Sequence, residues 1–484
     1  MAEPIATTTS GRVRGIRGGG VVRFRAVPYA AAPTGDLRFA APRPAPRWDG
    51  VRAADRVGPV APQQAAGELP GLDVSVLRGP EWSGGDDYLT AEITRPDQDG
   101  AGLPVLVFVH GGAFVSGGGA APLYDGAAFA RSGVVLVAIN HRLGAEGFAP
   151  IGETNVGLRD QLAALRWVRE NAAAFGGDPG NVTVCGQSSG AMSIADLLGS
   201  PLLDGLVDRA IVQSGHTGMT RSRDLGRALV ESLARHLGVP ATAEAFRRVG
   251  VRELLAAQAA VMAPGGAPDL RDEHGHDPSF RLSAFLPVHG DDVLPVPPGE
   301  AVAAGSAAGI DVLVSTCREE MALYLAASGV VDSTTDEQAV AALGASHPDA
   351  SGVLAAYGLG RRPAGEALSA ALTDLVFRLP AREFAARHRD SGGRTHVAEF
   401  TWRSPRFGGR LGACHGLELP FVFHNLAVAT GPTGLLGEEP DRALADRLHG
   451  AWVSFVATGD PGWPEHRGGH VFTAGPEPGA AGPR

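Results

Sequence analysis

The sequence contains no lysine: all 42 of its basic residues are arginine. Schiff-base enzymes, pyridoxal-phosphate enzymes, P-loop NTPases and Ser-Lys hydrolases all need a lysine, so these mechanisms are excluded. The formal net charge of -10 also argues against nucleic acid as a partner, because phosphate binding depends on clustered basic residues.

Cysteine is scarce as well. Cys185, Cys317 and Cys414 are the only cysteines among 484 residues, and so small and odd a number argues against a disulfide framework. No Cys-x-x-Cys pair or Cys/His spacing typical of a metal site is present, and we expect neither metal nor cofactor. The cluster His274–Asp277 has metal-binding residue types, but a polar surface turn is the better interpretation.

The sequence also lacks long apolar runs. Its first residues carry no basic segment followed by an apolar one, and no stretch is long enough to span a bilayer. We therefore expect a soluble, cytoplasmic protein with no membrane contact. The composition, 44% hydrophobic, permits one large core, so we expect a single domain over residues 1–473. The Gly/Pro-rich residues 474–484 are predicted to be a disordered tail.

Short apolar runs alternate with helical patterns from Leu103 onward, which predicts an α/β fold with a mainly parallel sheet and helices on both faces. An amphipathic helix is predicted by Leu158, Leu162, Leu165 and Val168, which share one face. The clearest predicted strands are 104–109, 134–139, 182–185, 210–213, 310–314 and 397–400.

Two further regions are predicted to flank this sheet. Residues 12–15 and 21–25 are expected to form small antiparallel strands at one edge. Residues near 217–308 are rich in helix and loop signals and interrupt the strand sequence. We interpret them as an insertion that covers the substrate.

One Gly-x-Ser-x-Gly pentad, Gly186–Gly190, follows an apolar strand and precedes a helical stretch. A serine at the apex of such a turn projects into a cleft, where a histidine can deprotonate it. Ser188 is therefore the candidate nucleophile. Upstream, the strand 104–109 runs into His110-Gly111-Gly112-Ala113-Phe114. Glycine-rich backbone at a strand end lets amides approach a carbonyl oxygen without interference from Cβ atoms.

These motifs, taken together, resemble the type B carboxylesterases, the α/β-hydrolase family that also contains the cholinesterases. The similarity runs in family order from about residue 20 to 460. The matching segments are 27–30, 35–39, 110–114, 140–144, 175–183, 186–191, 210–215, 285–290 and 412–423.

The resemblance implies that Ser188 is the nucleophile, His415 the general base and Glu320 the acid of a catalytic triad. It further implies an oxyanion hole made by the backbone amides of Gly112, Ala113 and Ser189. Glu319 stays open as an alternative acid. His110 competes with His415 for the role of base, although a packing or loop-orienting role suits its place before the glycines better.

The sequence departs from the family pattern at Ala113, where a third glycine is usual, and we expect this alanine to need a negative φ. Two other departures are Cys317, where asparagine is common, and Met321, where glycine usually follows the acid. The positions of the secreted relatives' disulfide hold no cysteine here, which favours a reducing compartment.

The expected reaction is hydrolysis of small-molecule carboxylic esters by a monomer or small homo-oligomer. Amide, carbamate or thioester hydrolysis by the same triad is an alternative, because leaving-group preference depends on the pocket walls. A non-catalytic binding relative of the same fold is a further alternative. The candidate pocket residues are Phe114, Phe280, Phe285, Phe377 and Phe407.

Overall fold

Fifteen strands are assigned in the structure, a computed structural model that describes residues 3–65, 69–98, 100–465 and 470–472. The predicted tail, 474–484, lies outside the described residues. In chain order the strands are β1 (Ile5–Thr7), β2 (Arg12–Arg14), β3 (Ile16–Gly18), β4 (Val21–Pro28), β5 (Val51–Ala53), β6 (Thr90–Pro96), β7 (Leu103–Val109), β8 (Val135–Ile139), β9 (Gly177–Gln187), β10 (Arg209–Gln213), β11 (Arg221–Ser222), β12 (Val288–His289), β13 (Asp311–Cys317), β14 (Thr395–Phe400) and β15 (His470–Phe472).

Ten of these strands form the central sheet, in the order β15-β14-β13-β10-β9-β7-β8-β6-β4-β3. The strands from β15 to β8 in that order are all parallel, whereas β6, β4 and β3 are antiparallel additions at one edge. Every strand predicted from an apolar run lies in the parallel part. The α/β prediction is therefore confirmed.

The helices complete the fold. In chain order they are α1 (Ser75–Arg78), α2 (Ala127–Arg131), α3 (Gly144–Phe148), α4 (Val156–Asn171), α5 (Ser189–Leu198), α6 (Arg223–Leu237), α7 (Ala243–Arg248), α8 (Val251–Met262), α9 (Pro298–Ala303), α10 (Ala322–Leu325), α11 (Val330–Ser333), α12 (Asp336–Gly344), α13 (Ala350–Ala356), α14 (Ala364–Thr373), α15 (Leu379–Asp390), α16 (Leu419–Val422) and α17 (Arg442–Thr458). Over the described ranges, none of them combines the length and the apolar character needed to cross a membrane.

Two hydrophobic clusters cover the two faces of the sheet. Side chains along β7 alternate between them: Val105, Val107 and Val109 pack in one cluster, and Leu106 and Phe108 pack in the other. This alternation follows from the two-residue period of a strand. Because both faces are buried, the strands read as continuous apolar runs in the sequence.

The predicted amphipathic helix is α4. Leu158, Leu162, Leu165 and Val168 are all buried in the first cluster. The helix is followed by a short 3-10 turn and by Gly176, whose φ of 82° only glycine adopts readily. The prediction for this segment is confirmed.

One edge prediction is wrong. The strand at 21–25 does join the edge of the main sheet as β4, but β2 (Arg12–Arg14) pairs with β1 and β5 in a separate three-stranded sheet. A three-residue strand carries a single inward side chain, here Val13. Its pattern therefore cannot indicate which of two sheets it joins.

Two long segments interrupt the parallel strands. Residues 217–308 lie between β10 and β13 and contain α6 to α9, as the helical signals predicted. A second helical segment, α10 to α15, lies between β13 and β14. The sequence did not single this second segment out.

Candidate active site

The pentad forms a tight turn between β9 and α5, with Ser188 at its apex. Ser188 has φ 56° and ψ -128°, a conformation that L residues rarely adopt. The turn requires glycine on both sides of Ser188, because the backbone is closely packed there. A Cβ on Gly190 would lie 2.2 Å from the oxygen of Val109, and one on Gly186 would lie 2.5 Å from the carbonyl carbon of Gly190. Such strain costs on the order of 1–3 kcal/mol and is typical of functional turns.

The glycine-containing loop that follows β7 carries two of the amides expected to bind an oxyanion, and we call it the donor loop. Its residues Gly112, Ala113 and Phe114 have φ values of 127°, 55° and 64°. The expectation of a negative φ at Ala113 is therefore wrong. Hydrogen bonds hold the loop in this conformation: Val115 and Ser116 donate their amides to the Gly112 oxygen, each at 3.0 Å, and the Gly144 amide donates to the Phe114 oxygen at 2.7 Å.

The three amides expected to bind an oxyanion belong to the loop after β7 and to the start of α5. Among the described residues, the N–H groups of Gly112, Ala113 and Ser189 donate to no protein acceptor. For Ser189 this follows from its place in the first turn of α5, where amides lack an intrahelical acceptor. Ala113 and Ser189 line the same cavity as Ser188.

His415 lies in the turn before α16 and contacts a buried glutamate. Its Nδ1 lies 2.6 Å from Oε2 of Glu320, and its backbone amide donates to the Glu320 carbonyl oxygen at 3.2 Å. The other carboxylate oxygen of Glu320 accepts hydrogen bonds from the Ser214 hydroxyl and the Cys317 amide, both at 2.7 Å. Glu320 is fully buried, so water cannot replace it as the hydrogen-bond acceptor for His415, Ser214 and the Cys317 amide.

The neighbouring glutamate has a different environment. Glu319 accepts a hydrogen bond from the Ala413 amide at 2.7 Å and pairs with Arg403, and its side chain is 28% exposed. The geometry therefore places Glu320, and not Glu319, against the imidazole of His415.

The second ring nitrogen of His415 faces the tight turn that carries Ser188. Nε2 lies 3.2 Å from Nε2 of Gln187, the residue before Ser188. Among the described contacts, no hydrogen bond joins the Ser188 hydroxyl to His415. Catalytic hydrogen bonds are often loose without substrate and tighten in the complex. The imidazole is flanked by the rings of Phe377 and Tyr324, with centroids 4.6 Å and 5.8 Å away.

The other candidate base, His110, lies in a different place. Its ring stacks on His141 at 4.7 Å, and its Nδ1 lies 2.8 Å from the Gly111 oxygen. Burial and, to a smaller extent, the nearby His141 lower the pKa of His110 to about 3. These contacts fit the loop-orienting role.

A cavity lies at Ser188, and we call it the inner cavity. Two of the predicted pocket residues, Phe114 and Phe377, line it. The full lining consists of Ala113, Phe114, Ser188, Ser189, Met192, Met219, Ser279, Leu282, Ser283, Leu286, Tyr324 and Phe377.

The structure does not bring the other three predicted phenylalanines into the inner cavity. Phe285 is fully buried in the first hydrophobic cluster, and Phe280 packs against that cluster from outside. Phe407 packs against the cluster on the opposite face of the sheet, beside Arg406. In each case the ring contributes to core packing, which its residue type predicts equally well.

Several apolar lining residues were missed from the sequence. Met192 lies four residues after Ser188 on α5, so helical spacing could have identified it. Met219, Leu282 and Leu286 come from the first long segment and Tyr324 from the second. No local signal marks these residues, because they meet only in the folded chain.

The His274–Asp277 cluster begins as the expected surface turn, with the side chain of His274 74% exposed, and becomes buried only at Asp277. Asp277 forms a buried ion pair with Arg221 at 2.8 Å, and the ring of His276 lies 4.9 Å from that of His347. Across the described ranges, no group of three or more His, Cys, Asp or Glu side chains is arranged to hold a metal ion.

Comparison with known proteins gives consistent matches along nearly the whole chain. The carboxylesterase family profile matches residues 2–470. The phenmedipham hydrolase of Pseudarthrobacter oxydans is 37% identical over 469 residues, covering 95% of this chain and 91% of that protein. The para-nitrobenzyl esterase of Bacillus subtilis (strain 168) is 34% identical over 484 residues, covering 96% of this chain and 93% of that protein.

Solved structures agree with these matches. A PNB esterase superimposes with a TM-score of 0.80 at 33% identity, over 98% of this chain and 96% of its own. The carboxylesterase of Geobacillus stearothermophilus gives a TM-score of 0.82 at 33% identity, over 97% of this chain and 96% of its own.

Proposed function

Because this chain belongs to the carboxylesterase family, we propose that its hydrolysis of carboxylic esters runs through an acyl-enzyme formed on Ser188. His415 is the general base, and Glu320 orients its imidazole. The observation that carries this proposal is the 2.6 Å contact between His415 Nδ1 and Glu320 Oε2, beside a serine held on a strained turn.

The contact with Glu320 fixes the tautomer of the base. A carboxylate accepts the Nδ1 proton, which leaves the lone pair of Nε2 free to accept a proton. In this structure that lone pair faces the Gln187 amide. As substrate enters, the Ser188 hydroxyl replaces the Gln187 amide at Nε2, and His415 takes its proton while Oγ attacks the ester carbonyl carbon.

The developing oxyanion lies between the donor loop and the start of α5. The amides of Gly112, Ala113 and Ser189 donate hydrogen bonds to it, and each such donor is worth about 3–4 kcal/mol of transition-state stabilisation. His415 then gives its proton to the leaving alcohol. Water then attacks the carbonyl carbon of the acyl-enzyme while His415 takes its proton. His415 returns that proton to the Ser188 oxygen, which releases the carboxylic acid and free Ser188.

The inner cavity supports a preference for short acyl or aryl groups. Its lining is mainly apolar, with Met192, Met219 and Leu286 among its walls, and such pockets typically bind apolar groups of small ligands. Met219 and Leu286 support the proposal that residues 217–308 cover the substrate within one α/β-hydrolase domain. The three free, buried cysteines support a cytoplasmic location.

Ester hydrolysis by two adjacent serine variants tests the assignment. Ser188→Ala is expected to lose more than about 99.9% of wild-type kcat on p-nitrophenyl esters. Ser189→Ala is the matched control and should keep most of its activity, because the mechanism uses only the amide of Ser189. A para-nitrobenzyl ester and phenmedipham should be tested as substrates in the same way, because two relatives are named after these compounds. Full activity in Ser188→Ala would overturn the assignment.

A further inference from the structure

A second cavity lies next to the donor loop, and we call it the outer cavity. Ala113 and Phe114 line the inner cavity, and the next two residues, Val115 and Ser116, line the outer one. Consecutive residues of the donor loop therefore line the two cavities. Its described lining residues are Gln64, Ala65, Arg78, Val115, Ser116, Gln258, Ala259, Met262 and Ala263.

Arg78 is the one charged residue in this described lining, which contains no aspartate or glutamate. It ends the short helix α1 and is half-buried. Among the described residues, its guanidinium takes part in no ion pair and no hydrogen bond. Burial lowers the pKa of Arg78, as expected of a cation that has lost water without gaining a counterion.

The other polar side chains of the outer cavity already have partners. The Gln64 amide donates to the Leu255 oxygen at 2.7 Å, the Gln258 amide oxygen accepts from the Ala145 amide at 3.0 Å, and the Ser116 hydroxyl donates to the Gly112 oxygen at 3.1 Å. Arg78 is thus the charged group of this wall, and its guanidinium donates to no acceptor among the described residues.

Arg78 also lies beside residues of the proposed catalytic centre, because the side chain of its neighbour Leu77 lies 3.9 Å from the position of a Cβ on Gly416, which follows His415. Its positive charge interacts with the hydroxyl of Tyr324: burial raises the pKa of Tyr324, and the charge of Arg78 opposes the rise. Tyr324 lines the inner cavity together with Ser188, and its ring lies 5.8 Å from that of His415. Tyr324 therefore connects the wall of the inner cavity with Arg78.

We propose that Arg78 binds an anionic group of the substrate, so that the preferred substrates are esters bearing a carboxylate on the half that lies in the outer cavity. A planar guanidinium matches a carboxylate with two parallel hydrogen bonds. One arginine that has no partner among the described residues balances one carboxylate charge, whereas a phosphate dianion would need a second cation. This inference rests on the proposed function, because it assigns the substrate class of the same site.

Matched pairs of esters test the inference. In the first pair the alcohol half differs, 4-acetoxybenzoate being anionic and 4-acetoxybenzamide neutral. In the second pair the acyl half differs, with the p-nitrophenyl monoester of glutaric acid against p-nitrophenyl pentanoate. The quantity measured is the ratio of kcat/KM for the anionic ester to that for the neutral one. Because both values come from the same protein sample, the ratio does not depend on how much of a variant is folded.

The proteins compared are the wild type, Arg78→Gln, Arg78→Glu and the control Arg56→Gln, which removes the same charge from a side chain that is 94% exposed. In at least one pair, Arg78→Gln should lower the ratio about tenfold and Arg78→Glu should lower it further. Arg56→Gln should leave the ratio unchanged. The pair that responds identifies whether the acyl or the alcohol half lies in the outer cavity.

Two outcomes would overturn the inference, and they are distinguishable. If the wild type hydrolyses the neutral esters and the ratio is the same in all four proteins for both pairs, the role of Arg78 is wrong and the proposed function stands. If Ser188→Ala hydrolyses these esters as fast as the wild type, the proposed function fails, and the role of Arg78 fails with it.

Discussion

Replacing each of the two adjacent glutamates by glutamine tests which one is the acid. The two side chains differ in their surroundings: Glu320 is fully buried against His415, whereas the side chain of Glu319 is 28% exposed and pairs with Arg403. Glutamine keeps the size of the side chain and removes its charge. The two variants therefore separate the role of the carboxylate from that of its volume.

The magnitude for Glu320→Gln follows from its three donors. The carboxylate accepts from His415, Ser214 and the Cys317 amide. A glutamine offers one carbonyl oxygen and one NH₂ group. Its NH₂ group must therefore lie against a hydrogen-bond donor, either His415 or the pair formed by Ser214 and the Cys317 amide. If the NH₂ group faces Nδ1 of His415, the imidazole takes the wrong tautomer and kcat falls by about 10³ to 10⁴, equal to roughly 4–5 kcal/mol of transition-state stabilisation.

The opposite orientation keeps the tautomer but still removes the negative charge that stabilises the imidazolium, so kcat falls as well, and stability falls with it. It leaves the buried Cys317 amide or the Ser214 hydroxyl without an acceptor, which lowers the free energy of unfolding by about 1–3 kcal/mol. Glu319→Gln still accepts from the Ala413 amide and loses only an exposed ion pair, worth roughly 0–1 kcal/mol. Its kcat should stay within about threefold of the wild-type value.

Steady-state hydrolysis of p-nitrophenyl acetate and urea unfolding measure both quantities for the two variants. We expect a large loss of kcat in Glu320→Gln alone. A Glu320→Gln protein that keeps more than about a tenth of wild-type kcat, or a Glu319→Gln protein that loses activity to the same degree, would refute the reasoning.

Three further predictions concern stability. Ala113→Gly should raise the free energy of unfolding by up to about 1 kcal/mol, because Ala113 has a φ of 55°; an unchanged urea midpoint would contradict this. Burial lowers the pKa of His110 to about 3 and that of His141 to about 4. Both are neutral in the folded protein, so their stabilising contribution is present above about pH 6.5 and is lost as pH falls through the folded values, each by about 1.4 kcal/mol per pH unit. Urea unfolding at pH 7 and pH 5 measures this, and equal stability at the two pH values would contradict it. Burial also raises the pKa of Asp196, whose carboxylate oxygens contact no donor among the described residues. Its contribution is therefore fully present below about pH 4 and falls as pH rises, so Asp196→Asn should gain stability over the wild type by up to about 1.4 kcal/mol per pH unit, and a pH-independent difference between the two would count against this.

The sheet was predictable because its signals are local. The parallel strands other than the edge strand β15 read as apolar runs because they are buried in the sheet, and α4 repeats its leucines at helical spacing. The elbow at Ser188 and the donor loop were predictable for the same reason, since each is a short glycine-containing motif after a strand.

Features that depend on contacts between distant segments were not predictable. The left-handed conformation of Ala113 is imposed by hydrogen bonds from the loop itself and from Gly144, which the alanine does not signal. The walls of the inner cavity come from two separate helical segments, so only Phe114 and Phe377 of the five predicted aromatics lie there. The contact between Gln187 and His415 likewise joins residues far apart in the sequence.

The role of Ser188 as nucleophile is tested most directly by covalent labelling. Wild type, Ser188→Ala and Ser189→Ala are each treated with a fluorophosphonate and measured by intact-protein mass spectrometry. We expect a single adduct on the wild type and on Ser189→Ala, and none on Ser188→Ala. A Ser188→Ala protein that carries the same adduct would contradict the account.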